Sequence, residues 1–498
     1  MVSLLMPASC RAQDSNGPRV SLRDHGGIGD GATDNGAALS RALAEAARLN
    51  LPLEVPPGIF VVEDTHVHQG LGGFVPHAGA RIYGAGPESR LRFRRSAFRS
   101  FYGLDIRHDN ISLRDLAVEM DNHGGDWTAG ICITASVRQL LLTRVTFRGI
   151  GDRAGHYGVM PLNADVVGLG FQECHFEKLD FGLLKMTSDV SSQTGISLVD
   201  CTGRDCTEIV ELNSPGLFRG STRAGSPVVA SISDDHGEPF DTAHLVAGQE
   251  VRSVLFPAGT RVASVDGPAR VTLSAPALAT SPAGNKARFS AGGCRGGVIR
   301  NLRVVDIGQW PVGLAHCENW EVEVYGEEVG YELVHVEDGS SRLRIVAGGR
   351  RCNLRPGVVG SPGADNGMVH IASGSHDIEV HFADADLRAS QGPNAVALCV
   401  QAAGVMGTTG AEVNPRGITV GGRVLLKAGT RAIVAYDTDI RFAALELINP
   451  DPASRADPML KLYGCTWTGS LRVHNPGTLV DGNARSRGRF DAVNVLPD

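Results

Sequence analysis

Short apolar strands recur through the middle of this chain, and each copy carries polar residues at the same two places. With alternate residues pointing outward, the copies read Lys185-Met186-Thr187, Glu211-Leu212-Asn213, His316-Cys317-Glu318, His335-Val336-Glu337 and His370-Ile371-Ala372. Side chains i and i+2 share one face of a strand, and stacked strands lie about 4.8 Å apart. The outward residues then form two adjacent columns of Lys, Glu, His, Asn and Thr on one sheet, while Met186, Leu212, Cys317, Val336 and Ile371 turn into the core. A second strand family keeps the same rhythm at 143–147, 172–176 and 300–304, and later rungs are legible between 394 and 465. Matching columns return at intervals of roughly 19 to 35 residues, the period of a solenoid. Such a repeat absorbs 498 residues into one elongated body, where length alone suggests several domains.

Composition narrows the partners. Glycine, 63 of 498 residues, has no collagen-like period and so marks tight turns. A net charge of −7 without a long basic run argues against nucleic acid. No apolar stretch reaches the roughly 20 residues that a membrane-spanning helix needs. The ten cysteines form no C-x-x-C pair, and Cys174, Cys201 and Cys317 fall at inward positions, which reads as core packing. Residues 1–16 resemble the tail of a secretory or lipoprotein leader that lacks a basic start, so the expected location is secreted or periplasmic. Oligomeric state is left open.

The N-terminal part carries its own signature. The glycine-rich run Gly29-Asp30-Gly31-Ala32-Thr33-Asp34-Asn35 leads into an alanine-rich segment, residues 36–47, with apolar residues at helical spacing, and then into Pro56-Pro57-Gly58-Ile59-Phe60. This arrangement resembles the first turn of the pectate-lyase superfamily. Its members include pectate and pectin lyases, polygalacturonases, mannuronan epimerases and phage tailspikes. The resemblance implies an all-β, single-stranded right-handed parallel β-helix with an N-terminal capping helix, and a polysaccharide or oligosaccharide as substrate or ligand. The catalytic signatures of those members are missing, so no site residue is carried over from them. Residues 17–216 and 292–498 are expected to form the β-helix. Residues 217–291 break the period with a strand pattern of their own, and are expected to form a small inserted β-rich module. It leaves the solenoid after Asn213, where it would stand beside the columns as a wall or lid, or as an insertion without substrate contact.

The columns suggest chemistry. Glycosidic cleavage needs an acid for the leaving oxygen and a second carboxylate as base or nucleophile, separated by about 5 to 9.5 Å. Glu318 and Glu337 are the expected pair, on neighbouring rungs, with Glu211, His316 and His335 next to them and Lys185 and Asn213 as substrate contacts. Asp338 and His370 extend the polar row. Trp127, Tyr157, Trp310 and Tyr331, together with Phe181, precede the strands at similar distances and could stack on sugar rings or fill corners. No cofactor is expected for hydrolysis or transglycosylation. The chemical alternative is β-elimination on a uronate polymer, with Lys185, His316 or His335 as base, Arg351 on the acid group, and calcium held by Asn213, Glu318 and Glu337. A transition-metal site on the imidazoles, and a tailspike-like protein that binds sugar without cutting it, are further readings.

Overall fold

The computed structural model describes residues 17–63, 73–95, 100–122, 126–187, 189–213, 216–234, 237–352, 367–390, 396–401, 404–405, 412–427, 430–450, 459–475 and 478–496. The leader-like residues 1–16 lie outside them. Parallel strands stack along the whole body in two sheets, one of twelve strands and one of 23 that closes the rest of each turn. The twelve-strand sheet runs from Ser100–Ile106 through Glu208–Asn213, Val312–Ala315, Val334–Glu337 and Gly367–Ile371 to Val480–Asp481. The fold is thus a parallel β-helix. No helix among the described residues is long and apolar enough to cross a membrane.

One inward column holds this sheet together. Leu104, Ile131, Val159, Leu183, Val210, Val312, Val334, Val369, Leu398 and Ile433 pair rung to rung, and all are fully buried. β-branched and leucine side chains suit this position because each packs on its copy one rung away. Burial of each such side chain contributes about 1.5–3 kcal/mol. The nine cysteines described are buried, Cys174, Cys201 and Cys317 among them.

The helix Gly36–Leu49 covers the first rung with a stripe of Ala38, Leu39, Ala42, Leu43 and Ala46. It stops at Asn50, which takes a left-handed conformation, φ 53°, and returns its N–H to Ala46 and Ala47. Ahead of it, the Asp30 carboxylate accepts from the Ala32 and Thr33 amides and the Thr33 hydroxyl. Those donors, the Thr33 amide foremost, lower its pKa to about 2. Gly29 is required because a Cβ there would press on Phe60 and on the backbone of Gly58.

On the larger sheet a ladder of alternating charge climbs the outside. Arg92, Glu119, Arg148, Glu177 and Arg204 are successive neighbours. Arg92 meets Glu119 at 2.7 Å and Arg148 meets Glu177 at 2.7 Å.

Two of the five expected rungs sit in a different register. After Glu211-Leu212-Asn213 the next rung is Gly313-Leu314-Ala315, three residues earlier than the expected His316-Cys317-Glu318. His316 is instead the turn residue, φ 50°, as are Asp338, Ser373 and Asp437 after their own strands. Glu318 belongs to the larger sheet, opposite Ser341. In the rung before, Lys185 pairs with Leu212 and so points inward, while Met186 is exposed. A shift of one residue exchanges the two faces of a strand.

Residues 216–291 build a separate six-stranded antiparallel sheet, whose first and last strands pair as Gly216 with Ala291. Phe218, Phe240, Phe256 and Phe289 fill its core. At its root the Lys185 ammonium donates to the main-chain oxygen of Asp189 and lies 3.9 Å from that residue's carboxylate, both side chains being buried. Asp189 also accepts from the Ser191 amide at 2.8 Å.

Breaking one partner of a buried ion pair strands the other charge. Asp189→Ala is expected to cost about 3–5 kcal/mol, read as a fall in thermal midpoint. The double change Lys185→Met with Asp189→Leu should recover most of that loss. An Asp189→Ala protein as stable as the parent would show that the pair contributes nothing.

Candidate functional site

The outward column of the twelve-strand sheet reads Cys132, Met160, Leu184, Glu211, Gly313, His335, His370, Cys399 and Val434 from rung to rung. Only its middle is polar. A second outward column, two residues before the inward one, runs Tyr102, Ala129, Tyr157, Phe181 and Glu208. The same offset from Val312 and Val334 continues it with Trp310 and Glu332.

Strict alternation would put residues i and i+3 on opposite faces. Here Ile209 and Val210 are consecutive core residues, as are Leu333 and Val334. At this corner both Ile209 and Val210 donate to the Pro311 carbonyl. The bend returns Glu208 and Glu211 to one face, and likewise Glu332 and His335. Glu208 and Glu332 were not anticipated from alternation. Their signal is the repeated acid-apolar-apolar-polar run, Glu208-Ile209-Val210-Glu211 and Glu332-Leu333-Val334-His335.

Glu211 accepts a hydrogen bond from the Trp310 indole, Nε1 to Oε2 at 2.9 Å. Gly313 makes the space for both, since a Cβ there would run into the Glu211 carboxylate and approach Trp310 Nε1 at 2.8 Å. Glu208 is buried beside Glu211. Burial and then the neighbouring charge of Glu211 push the Glu208 carboxyl well above the usual carboxylate range. Burial also raises Glu211, against the hydrogen bonds from Glu208 and Trp310. Two carboxyls this close hold one proton between them.

One rung beyond Gly313, the His335 ring stacks on Trp310 with centroids 4.8 Å apart and meets His370 edge-on at 4.9 Å. Glu332 Oε1 lies 3.8 Å from His335 Nδ1 and 3.1 Å from His370 Nδ1. Glu337 lies 3.6 Å from His335 Nε2 and keeps 43% of its side chain exposed. Burial disfavours a proton on His335, but the flanking Glu332 and Glu337 outweigh it and lift the imidazole to about 10. Burial likewise opposes charge on Glu332, and the two histidines reverse that, holding it below the usual range.

The structure therefore gathers Glu211, His335, Glu337, His370, Trp310 and Tyr331, with Asn213 two rungs from Glu337 along the row. It disperses the rest. Glu318 pairs with Arg295 at 3.0 Å and with Arg342, away from Glu337, so the expected Glu318/Glu337 pair does not form, nor does an Asn213/Glu318/Glu337 calcium cage. Lys185 is in the core. His316 gives its Nδ1 to the Asp338 carbonyl at 3.1 Å, and burial, aided by Arg252 of the module, lowers it to about 4. Asp338 is itself a turn residue, and Arg351 pairs with Glu328 at 3.1 Å. Trp127 stacks between Tyr102 at 6.4 Å and Tyr157 at 5.9 Å, so both of its faces are already occupied. A cleft of about 440 Å³ lies elsewhere, between the module and the turns, lined by Ser192, Gln249, Arg252, Arg261 and Arg295.

No protein-family model and no curated protein match the sequence. Among solved structures, tailspike protein 3 of bacteriophage CBA120 superimposes with a TM-score of 0.50 at 11% identity, over 95% of this chain and 61% of the tailspike. This chain thus spans about three-fifths of the tailspike's length. The A-module of the Azotobacter vinelandii mannuronan C-5 epimerase AlgE4 matches over 96% of both chains at 13% identity, with a TM-score of 0.32. The Streptococcus pneumoniae surface adhesin PfbA matches at 10% identity and 0.35, over 96% of this chain and 91% of the adhesin. At these identities the likeness is one of fold.

The Glu208 proton has a thermodynamic signature. The folded chain holds it, whereas the unfolded chain releases it above about pH 4.3. Stability therefore falls as pH rises from there through neutrality, because the folded state binds more protons in that window. Glu208→Gln should raise the thermal midpoint, and by more at pH 8 than at pH 5. An increment equal at both would mean that Glu208 carries no such proton.

Proposed function

We propose that this protein cleaves glycosidic bonds of a polysaccharide or oligosaccharide by hydrolysis, with Glu211 as proton donor and Glu337 as the second carboxylate. The observation that carries this reading is the Glu208/Glu211 pair, two carboxyls held together on the outer side of the sheet, with Glu211 bonded to the Trp310 indole. A glycosidic leaving oxygen needs a neutral acid at ordinary pH, and a buried carboxyl pair supplies one. Glu208, beside Glu211, keeps the shared proton in the pair, and Trp310 fixes one Glu211 oxygen, which leaves the other for the substrate.

Glu337 is two rungs from Glu211 along the axis, about 10 Å at 4.8 Å per rung, and two residues further along its strand. That is nearer the wide separation that leaves room for an attacking water than the about 5 Å of a covalent mechanism. Inversion at the anomeric carbon is the outcome this spacing favours. The resemblance of the first turn to the pectate-lyase superfamily supports a saccharide substrate. Elimination has lost two of its candidate bases, since Lys185 lies in the core and His316 in a turn.

Products from a panel of neutral and uronate-containing polysaccharides, weighed by mass spectrometry, should carry one added water. Unsaturated products would overturn hydrolysis. Glu211→Gln and Glu337→Gln should each lower kcat by about 10²–10⁴-fold, the usual contribution of a general acid or base. Glu318→Gln should retain activity, because its carboxylate pairs with Arg295 and Arg342 on the other sheet.

A further inference from the structure

We infer that Glu332, His335 and His370 form a binding site for one divalent transition-metal ion of the zinc class. One ligand atom from each residue can be chosen so that all lie within 4.8 Å of one another. Tetrahedral ligands about 2.0–2.1 Å from zinc are about 3.3 Å apart. The distances from Glu332 Oε1, 3.1 Å to His370 Nδ1 and 3.8 Å to His335 Nδ1, bracket that edge. Small side-chain rotations would close the set onto a metal.

Hydrogen bonding satisfies the cluster only in part, through His370 Nδ1 and Glu332 Oε1. Glu332 Oε2, His335 Nδ1 and His370 Nε2 are all buried without a hydrogen-bond partner. Glu332 and His370 are themselves 4% and 5% exposed. Buried polar atoms are nearly always paired; in this set Glu332 Oε1 and His370 Nδ1 share a hydrogen bond, and His335 Nδ1, facing the same oxygen without one, is the atom that points to a missing cation. Hydrogen bonding closes only one of the two contacts, since Glu332 Oε1 lies 3.1 Å from His370 Nδ1 but 3.8 Å from His335 Nδ1, too long for a hydrogen bond, whereas one metal ion would close both.

The surroundings are those of a metal site. Glu337, 3.6 Å from His335 Nε2, stands where an outer carboxylate orients a ligating imidazole. Trp310 stacks on the same ring and restricts its rotation. Two imidazoles with one carboxylate favour zinc and its transition-metal neighbours over calcium or magnesium, which prefer oxygen throughout. Three protein ligands leave a fourth position for water or a substrate oxygen. This inference stands apart from glycosidic cleavage, and a binding measurement reads it without reference to turnover.

The full chain, freed of metal by dialysis against a chelator, is titrated with zinc chloride by calorimetry and with cobalt(II) by visible absorption. One ion per chain, a Kd below about 1 µM and the visible bands of four-coordinate cobalt are expected. Glu332→Gln, which keeps the side chain's shape, and His370→Ala should each weaken zinc binding at least tenfold, while Glu211→Gln should not. Zinc should raise the thermal midpoint of the parent and leave that of Glu332→Gln unmoved. Absence of stoichiometric zinc or cobalt binding would overturn the proposal. So would undiminished binding by folded Glu332→Gln, or a response to calcium alone.

Discussion

The hydrogen-bonded contact between one rung and the next carries everything else in this molecule. Parallel strands repeat at about 4.8 Å, so a residue's position within its rung decides at once what lies above and below it. An inward place meets a column of Leu, Ile and Val, and an outward place meets the side chain of the next rung on the outer face. Because each rung touches only its neighbours, stability is built locally and passed along the stack. The site is a property of four consecutive rungs, not of residues brought together from distant folds of the chain.

Within those rungs, two pairs of side chains three residues apart meet because the strand bends between them. Ile209 with Val210 and Leu333 with Val334 both face the core, which throws the flanking residues to the same outer side. The consequences differ by chemistry. On one rung two carboxyls are forced together and retain a proton. Two rungs later a carboxylate is forced against imidazoles, and the local demand is for positive charge. Gly313, between them, contributes its lack of a side chain, which leaves room for the Glu211 and Trp310 side chains.

The fold was legible in the sequence because inward columns are redundant. Many rungs repeat the same apolar position, and the glycine-rich first turn with its alanine-rich helix marks where the stack begins. The site was only partly legible. Glu211, His335, Glu337 and His370 stood in the expected places, since their rungs alternate cleanly around Leu212, Val336 and Ile371. Gly313-Leu314-Ala315 has no polar outward residue, so the eye passes to His316-Cys317-Glu318, which mimics a rung and is a turn followed by a strand of the other sheet. Lys185 was misplaced because an inward lysine is costly unless paired, and its partner Asp189 lies beyond the strand. Glu208 and Glu332 were hidden by the bend itself, which strict alternation does not describe.

The alternating ladder of Arg92, Glu119, Arg148, Glu177 and Arg204 bears on how such a stack assembles. An inward column of near-identical apolar residues cannot distinguish its proper neighbour from the one after it. Charges of alternating sign can. A chain that skipped a turn while folding would lay Arg92 against Arg148, or the buried Glu119 against Glu177, with like charges face to face. The ladder thus works as a parity check written on the outside of the solenoid, rejecting misalignments to which the core is blind.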